Sequence, residues 1–207
     1  LQDIKKVFES KERSTLVELV KFLNEEKLVE IAKTADKMAK SGKIEEAITY
    51  LEQNANKDSK NKAFYHARMG YYYIELNQFD KAEEILKQAV SEDGKLGFAY
   101  SELGYLYSSQ NKVDLALENY LLGTKYDSND GENFYGAGYA YYEKKDYTKA
   151  VEYFEKAIPK YKKEQKYDYI KDSYNLIAQI YYEQGNETKM NEVIEKAEKE
   201  LSQMNKK

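Results

Sequence analysis

Three glycines, Gly70, Gly104 and Gly138, are separated by 34 residues and then by 34 again. Each stands inside an apolar, aromatic run of helical character: RMGYYY at 68–73, ELGYLY at 102–107 and GAGYAYY at 136–142. A glycine inside a helix costs roughly 1 kcal/mol against alanine, so three in register imply a repeated packing requirement. The same step relates Ala82, Ala116 and Ala150, then Tyr73, Tyr107 and Tyr141, and then Leu86, Tyr120 and Phe154. Self-similarity at such a period is the signature of a stacked array of supersecondary units, not of a single mixed core.

Two weaker copies flank the three. Upstream, Ile31, Ala35, Met38, Ala47 and Leu51 keep the spacing. Downstream, Tyr174, Ile177, Ala178, Tyr181, Met190, Ile194 and Ala197 keep it after six additional residues. Five units follow, at 28–61, 63–96, 97–130, 131–164 and 171–204. In the third, Tyr100, Leu103, Gly104 and Tyr107 lie at i, i+3, i+4, i+7. After a break at Gln110-Asn111-Lys112, a second stripe runs through Leu115, Ala116, Tyr120 and Gly123. Each unit therefore reads as two antiparallel helices of about 12–15 residues. Gly42, Asn77, Asn111 and Gly185 suit the left-handed residue that ends a helix, whereas the fourth copy has the poorer stop Lys145-Asp146. The glycines are expected to let the two helices of a hairpin approach closely, Gly70 against Ala82, Gly104 against Ala116 and Gly138 against Ala150.

This pattern resembles the tetratricopeptide repeat. The residues that carry the likeness are Tyr100, Leu103, Gly104, Tyr107, Ala116, Tyr120 and Gly123, matched in the fourth unit by Phe134, Gly138, Tyr141, Ala150, Phe154 and Ala157. The usual proline between units is missing, and Pro159 sits early in the fourth. The resemblance implies an all-α fold, a right-handed superhelical solenoid of antiparallel helix pairs with about five repeats. Residues 1–27 lie outside the repeat and are expected to form an N-terminal capping helical segment. Met190, Val193, Ile194, Ala197, Leu201 and Met204 form an apolar stripe that would let the last helix close the array, and 205–207 are expected to fray.

Composition removes most chemistry. There is no Cys, and His66 is the only His. No thiol nucleophile, Ser–His–acid relay or multi-His metal site can be assembled on that inventory. No glycine-rich phosphate loop is present either: Gly136 and Gly138 sit among aromatics on a helix. His66 occupies the place of Tyr100 and Phe134 in the neighbouring copies, and reads as a packed ring. No catalytic residue, metal or cofactor is expected. A net charge of −4 gives no pull toward nucleic acid. No apolar run reaches the ~18–20 residues of a membrane span. No signal-like start is visible, which leaves the cytoplasm, or an extracytoplasmic site if a leader has been removed. Lys-rich, Arg-poor usage, with only Arg13 and Arg68, points to a bacterial source.

In the family, the first helices of the units line a concave face that binds an extended peptide or a helix of another protein. By position, the lining here is Phe64, Ala67, Tyr71, Ile74 and Glu75 in the second unit, and Phe98, Ser101, Tyr105, Ser108 and Ser109 in the third. The fourth supplies Glu132, Tyr135, Tyr139, Tyr142 and Glu143, and the fifth Asp172, Asn175, Gln179, Tyr182 and Glu183. Tyr71, Tyr105 and Tyr139 repeat at the 34-residue step. Tyrosine brings apolar area and a hydroxyl at low entropic cost. The carboxylates give the face an acidic margin, so a protein or peptide with apolar or aromatic anchors and basic flanks fits best. Some family members hold a terminal carboxylate with Lys, Arg and Asn on this face. Only Asn175 matches that set in type, so this mode is expected to be absent. The alternatives are a self-associating assembly module, giving a homo-oligomer, and a sensor of a signalling peptide.

Overall fold

The computed structural model describes residues 23–204, and every regular element among them is a helix. The chain divides into two compact units, residues 1–59 and 60–207.

The described part of the first unit is one helical hairpin, α1 (residues 23–40) and α2 (Ile44–Lys57). Ile31, Ala35, Ala47, Ile48, Leu51 and Ala55 form its buried seam. Lys27 bonds Asp58 at 2.9 Å. Residues 23–27, assigned above to the N-terminal segment, are continuous with α1. The remainder of that segment and the tail at 205–207 lie outside the described residues.

After a 3-10 turn at Ser59–Asn61, the second unit contains four pairs. These are α3 (Lys62–Glu75) with α4 (Phe79–Glu92), α5 (Gly97–Ser109) with α6 (Val113–Tyr126), α7 (Gly131–Glu143) with α8 (Tyr147–Glu164), and α9 (Tyr167–Glu183) with α10 (Glu187–Met204). The six residues that break the period are spent on length. The last three helices have 18, 17 and 18 residues, against 14 in α4 and α6, and α8 runs on past Pro159.

Each hairpin turn is closed the same way. Gly42, Asn77, Asn111, Lys145 and Gly185 have φ between +56° and +79°. The residue after each donates its backbone N–H to a carbonyl five back, as in Gln78 to Tyr73 at 2.9 Å and Lys112 to Tyr107 at 2.8 Å. This is the Schellman arrangement, which satisfies carbonyls the helix end would leave open. Lys145 adopts it at φ +61° despite its side chain.

One apolar cluster joins α3 to α7 through Leu86, Leu103, Leu106, Tyr107 and Tyr120. A second joins α7 to α10 through Phe154, Tyr161, Ile170, Tyr174 and Ile177. The three glycines serve this core by a tight contact that the spacing alone does not name. A Cβ on Gly70 would stand 2.4 Å from the Leu86 side chain, on Gly104 2.6 Å from the Tyr120 ring, and on Gly138 2.9 Å from the Phe154 ring. Each glycine makes room for the large residue sixteen positions on. In the stripe of α6, Leu115 faces out, 42% exposed, while Ala116, Tyr120 and Gly123 are buried. On α10 no residue is fully buried, and Ile194 is exposed while Val193, Ala197, Leu201 and Met204 pack inward.

Tyr73, Tyr107, Tyr141 and Tyr181 recur on one side of the first helices. Each has a lysine ammonium above its ring: Lys81 at 5.7 Å, Lys112 at 5.7 Å, Lys149 at 5.1 Å and Lys189 at 5.3 Å. Tyr107 also donates to Glu83 at 3.0 Å, and Lys87 bonds the same carboxylate at 2.6 Å, so Glu83 is an anchor as well as a surface charge. His66 is a packed ring, its Nδ1 2.8 Å from Glu92.

Candidate interaction face

Within the second unit α3 touches α5 and α5 touches α7, whereas α4, α6 and α8 each reach the next pair through its first helix. Of like helices, α3, α5 and α7 approach one another more closely than α4, α6 and α8 do, which puts the first helices on the inner face. It carries most of the residues predicted from the 34-residue register.

Tyr105 and Tyr139 stand out from it, 41% and 43% exposed, and Tyr182 is 68% exposed. Glu75, Ser108, Ser109, Glu132, Glu143, Asp172, Asn175, Gln179 and Glu183 are exposed as well. Phe64 and Phe98 are half-buried, their ring centroids 6.4 Å apart across α3 and α5. Tyr71 is half-buried, and its hydroxyl is pushed up to about 12 by burial and by the charges of Glu75 and Glu102. Tyr105 is raised by burial and by the same two carboxylates. Tyr139 is raised by burial and by Glu143. Tyr142 donates to Glu183 at 2.6 Å and accepts from Gln179 at 2.8 Å, tying α7 to α9.

Three predicted lining residues are not on the surface. Ile74 is 4% exposed and belongs to the cluster with Leu86 and Leu103. Ala67 and Ser101 are buried too. A register argument assigns a face by angle alone. Whether such a position is covered depends on the neighbouring helices, and Ala67 and Ile74 lie in the cluster that α3 shares with α4 and α5.

The structure adds residues that the register passed over. Glu102 on α5 is buried and held well above the usual carboxylate range by burial and by Glu132, with Arg68 acting against the shift. Arg68 lies over Tyr71, Tyr72 and Phe98, 5.7, 5.7 and 5.6 Å from the ring centroids. Tyr169 is exposed and stacks on Tyr161 at 4.9 Å. Its ring meets Tyr135 edge-on at 6.2 Å, and Tyr135 in turn meets Phe154 and Tyr161. Lys166 sits 5.9 Å from both the Tyr161 and Tyr169 rings and bonds Glu132 at 2.8 Å and Glu164 at 2.9 Å. The repeat period starts the fifth unit at residue 171 and so omits Tyr169, whereas α9 starts at Tyr167. Spacing back one turn from Asp172 would have found it.

The chain matches the tetratricopeptide repeat family over residues 101–165, and again over 65–95 and 171–199, together more than half its length. It is a tetratricopeptide repeat protein. Its fold class is accordingly all-α, a superhelical solenoid of antiparallel helix pairs. Among solved structures, a crystal structure of MamA superposes with a TM-score of 0.66 at 21% identity, covering 84% of this chain and 97% of that one. MamA 41-end from Desulfovibrio magneticus RS-1 gives 0.63 at 19%, over 86% and 96%. A structure of Naa15/Naa10 bound to HypK-THB gives 0.60 at 17%, covering 84% of this chain and 25% of that one. No curated protein matches in sequence. Tetratricopeptide repeat proteins are protein-interaction scaffolds, and that general description extends to this chain. Among the described residues of this tetratricopeptide repeat protein, no helix is long and apolar enough to cross a membrane, and no three acidic or His side chains converge as a metal site would need.

Proposed function

We propose that this protein holds a peptide or helical segment of another protein against the face formed by α3, α5, α7 and α9. The observation that carries the reading is the pair Tyr105 and Tyr139. These rings repeat one unit apart and keep about two-fifths of their area in water, while Tyr107 and Tyr120 nearby are buried. Exposed aromatic rings on a rigid helical frame supply contact area with little entropy lost on binding. Glu75 and Glu143, beside them, favour a partner with apolar or aromatic anchors and basic flanks. Tyrosines and carboxylates where a carboxylate-holding site would need cations argue against recognition of a peptide's free C-terminus.

The test is capture of interacting proteins by the wild type and by Tyr105→Ala/Tyr139→Ala, with circular dichroism to confirm equal helix content. Specific partners are expected to be lost with the double variant. Undiminished recovery of the same partners would defeat the reading.

A further inference from the structure

Charge on the inner face is lopsided. Glu75, Glu132, Glu143, Asp172 and Glu183 are exposed there, and Glu102 lies beneath. Two of the chain's own cations on this face are already engaged. Arg68 rests over Tyr71, Tyr72 and Phe98, and Lys166 lies beside Tyr161 and Tyr169 with Glu132 and Glu164 as counter-charges. These two show how the face accommodates a cation: against ring faces, with a carboxylate to balance it. Between them lies a stretch with the same ingredients. Tyr139 and Tyr169 are exposed, and Tyr135 meets Tyr169 edge-on at 88°. Asp172, one turn along α9 from Tyr169, is close enough for its charge to act on the Tyr135 hydroxyl, as Tyr139 and Tyr169 also do. The Tyr105 hydroxyl feels Tyr169 from the α5 side. Among the described residues, no cation lies over Tyr105, Tyr135 or Tyr139, and none pairs with Asp172.

We propose that Tyr105, Tyr135, Tyr139 and Tyr169, with Asp172 as counter-charge, form a seat for one arginine or lysine side chain of the bound segment. The assignment rests on the preceding reading of the face and specifies the chemistry it selects. A guanidinium gains most, because it stacks on a ring and bonds a carboxylate at once. The occupant is a basic segment of a separate protein, in keeping with the surplus of carboxylates on this side.

The experiment uses N-acetyl-arginine amide as probe, with N-acetyl-citrulline amide as its uncharged counterpart, titrated into the isotope-labelled full chain and followed by NMR. The arginine probe is expected to shift signals of Tyr139 and Tyr169 and to bind roughly five- to tenfold more tightly than the citrulline probe. Asp172→Asn should lower that affinity by about three- to tenfold, with helicity unchanged. Equal binding of the two probes, shifts confined to other regions, no shifts at any soluble concentration, or an unaltered Asp172→Asn would each overturn the seat. Dimerisation of the free protein that Asp172→Asn abolishes would place a second copy there and overturn the assignment to a separate partner. Failure here is distinguishable from failure of the broader reading. A partner lost with Tyr105→Ala/Tyr139→Ala but indifferent to Asp172→Asn removes the seat and leaves the face.

Discussion

Gly104 on α5 faces the ring of Tyr120 on α6 so closely that a Cβ at residue 104 would lie 2.6 Å from the ring carbon Cδ1. The far end of the same ring is met by Gly136 on α7, where an added Cβ would stand 2.4 Å from Cζ. Tyr120 is thus held between two glycines of successive units, buried, and so links one hairpin to the next. The helix-propensity cost of these glycines is the condition for that bridge.

Gly104→Ala should therefore destabilise the protein although alanine is the better helix former. Overpacking of a filled core costs about 1–3 kcal/mol, against a propensity gain of roughly 1 kcal/mol. The ring cannot retreat, because Gly136 backs it. In a Tyr120→Ala background the same substitution should be neutral or favourable, since the space it needs is then empty. Urea denaturation of the four proteins of this cycle measures the coupling. A more stable Gly104→Ala in the wild-type background would contradict it.

Lys145 offers the opposite case. With Gln165 at the end of α8, it is one of two residues with a long side chain among the six that take the left-handed conformation, the others being two glycines and two asparagines. That conformation costs a side-chain-bearing residue about 1–2 kcal/mol relative to glycine, less where tertiary contacts favour it. Lys145→Gly is expected to raise the thermal midpoint by about 2–4 °C, with no change in partner binding, since Lys145 lies at the hairpin turn. A calorimetric scan decides the matter, and an unchanged or lowered midpoint would count against a strained turn.

These two residues also show what was legible beforehand. The period fixed which residues are equivalent. Helical spacing placed the pairs, and the left-handed turns at Asn77 and Asn111 could be read from residue type alone. Distance across the hairpin could not be read. The tightest contact of Gly104 is with a ring four residues beyond the alanine that the spacing favoured, and spacing alone does not say which of the two stands closer across the hairpin. Ile74 was misplaced for a related reason. Its angle on α3 does not say which neighbours cover it, and it is buried in the cluster that holds Leu86 of α4 and Leu103 of α5. Tyr169, Arg68 and Glu102 depend on where helices begin and on which neighbours converge, which the 34-residue step does not encode.

A pH dependence follows from Asp130, the N-cap of α7. It accepts from the Glu132 backbone N–H at 2.9 Å and from Asn133 Nδ2 at 2.7 Å. Burial, reinforced by the charge of Glu132, raises its carboxyl from 3.8 to about 6. A carboxyl raised on folding stabilises the fold while both states are protonated, and that contribution is lost as pH climbs from about 4 through 6. Glu102, also raised, acts in the same sense, whereas Glu83 and Glu200, both lowered, act oppositely. The single contribution is therefore isolated by difference. Asp130→Asn keeps a good capping side chain and should remove a loss of about 2 kcal/mol between pH 4 and 7. Parallel denaturation curves for the two proteins across that range would show that Asp130 does not titrate as described.

The last helix should be the first part of the second unit to open. With no fully buried residue and Ile194 in water, α10 gains little from apolar burial. Its firmest attachment is Glu200, which accepts from Tyr174 on α9 at 2.5 Å and pairs with Lys162 on α8. Those bonds hold the Glu200 carboxyl below its ordinary value, although burial pulls the other way. A lowered carboxylate stabilises above its unfolded value and ceases to do so as it protonates, so α10 should loosen on acidification. Glu200→Ala leaves the half-buried Lys162 ammonium and Tyr174 hydroxyl without their common acceptor, a loss of about 1–2 kcal/mol. Hydrogen exchange is the suitable measurement, because local opening is read segment by segment. Faster exchange across Glu187–Met204 with unchanged protection in α5 and α6 is expected, and acceleration spread evenly through the unit would mean that α10 instead unfolds with the whole stack.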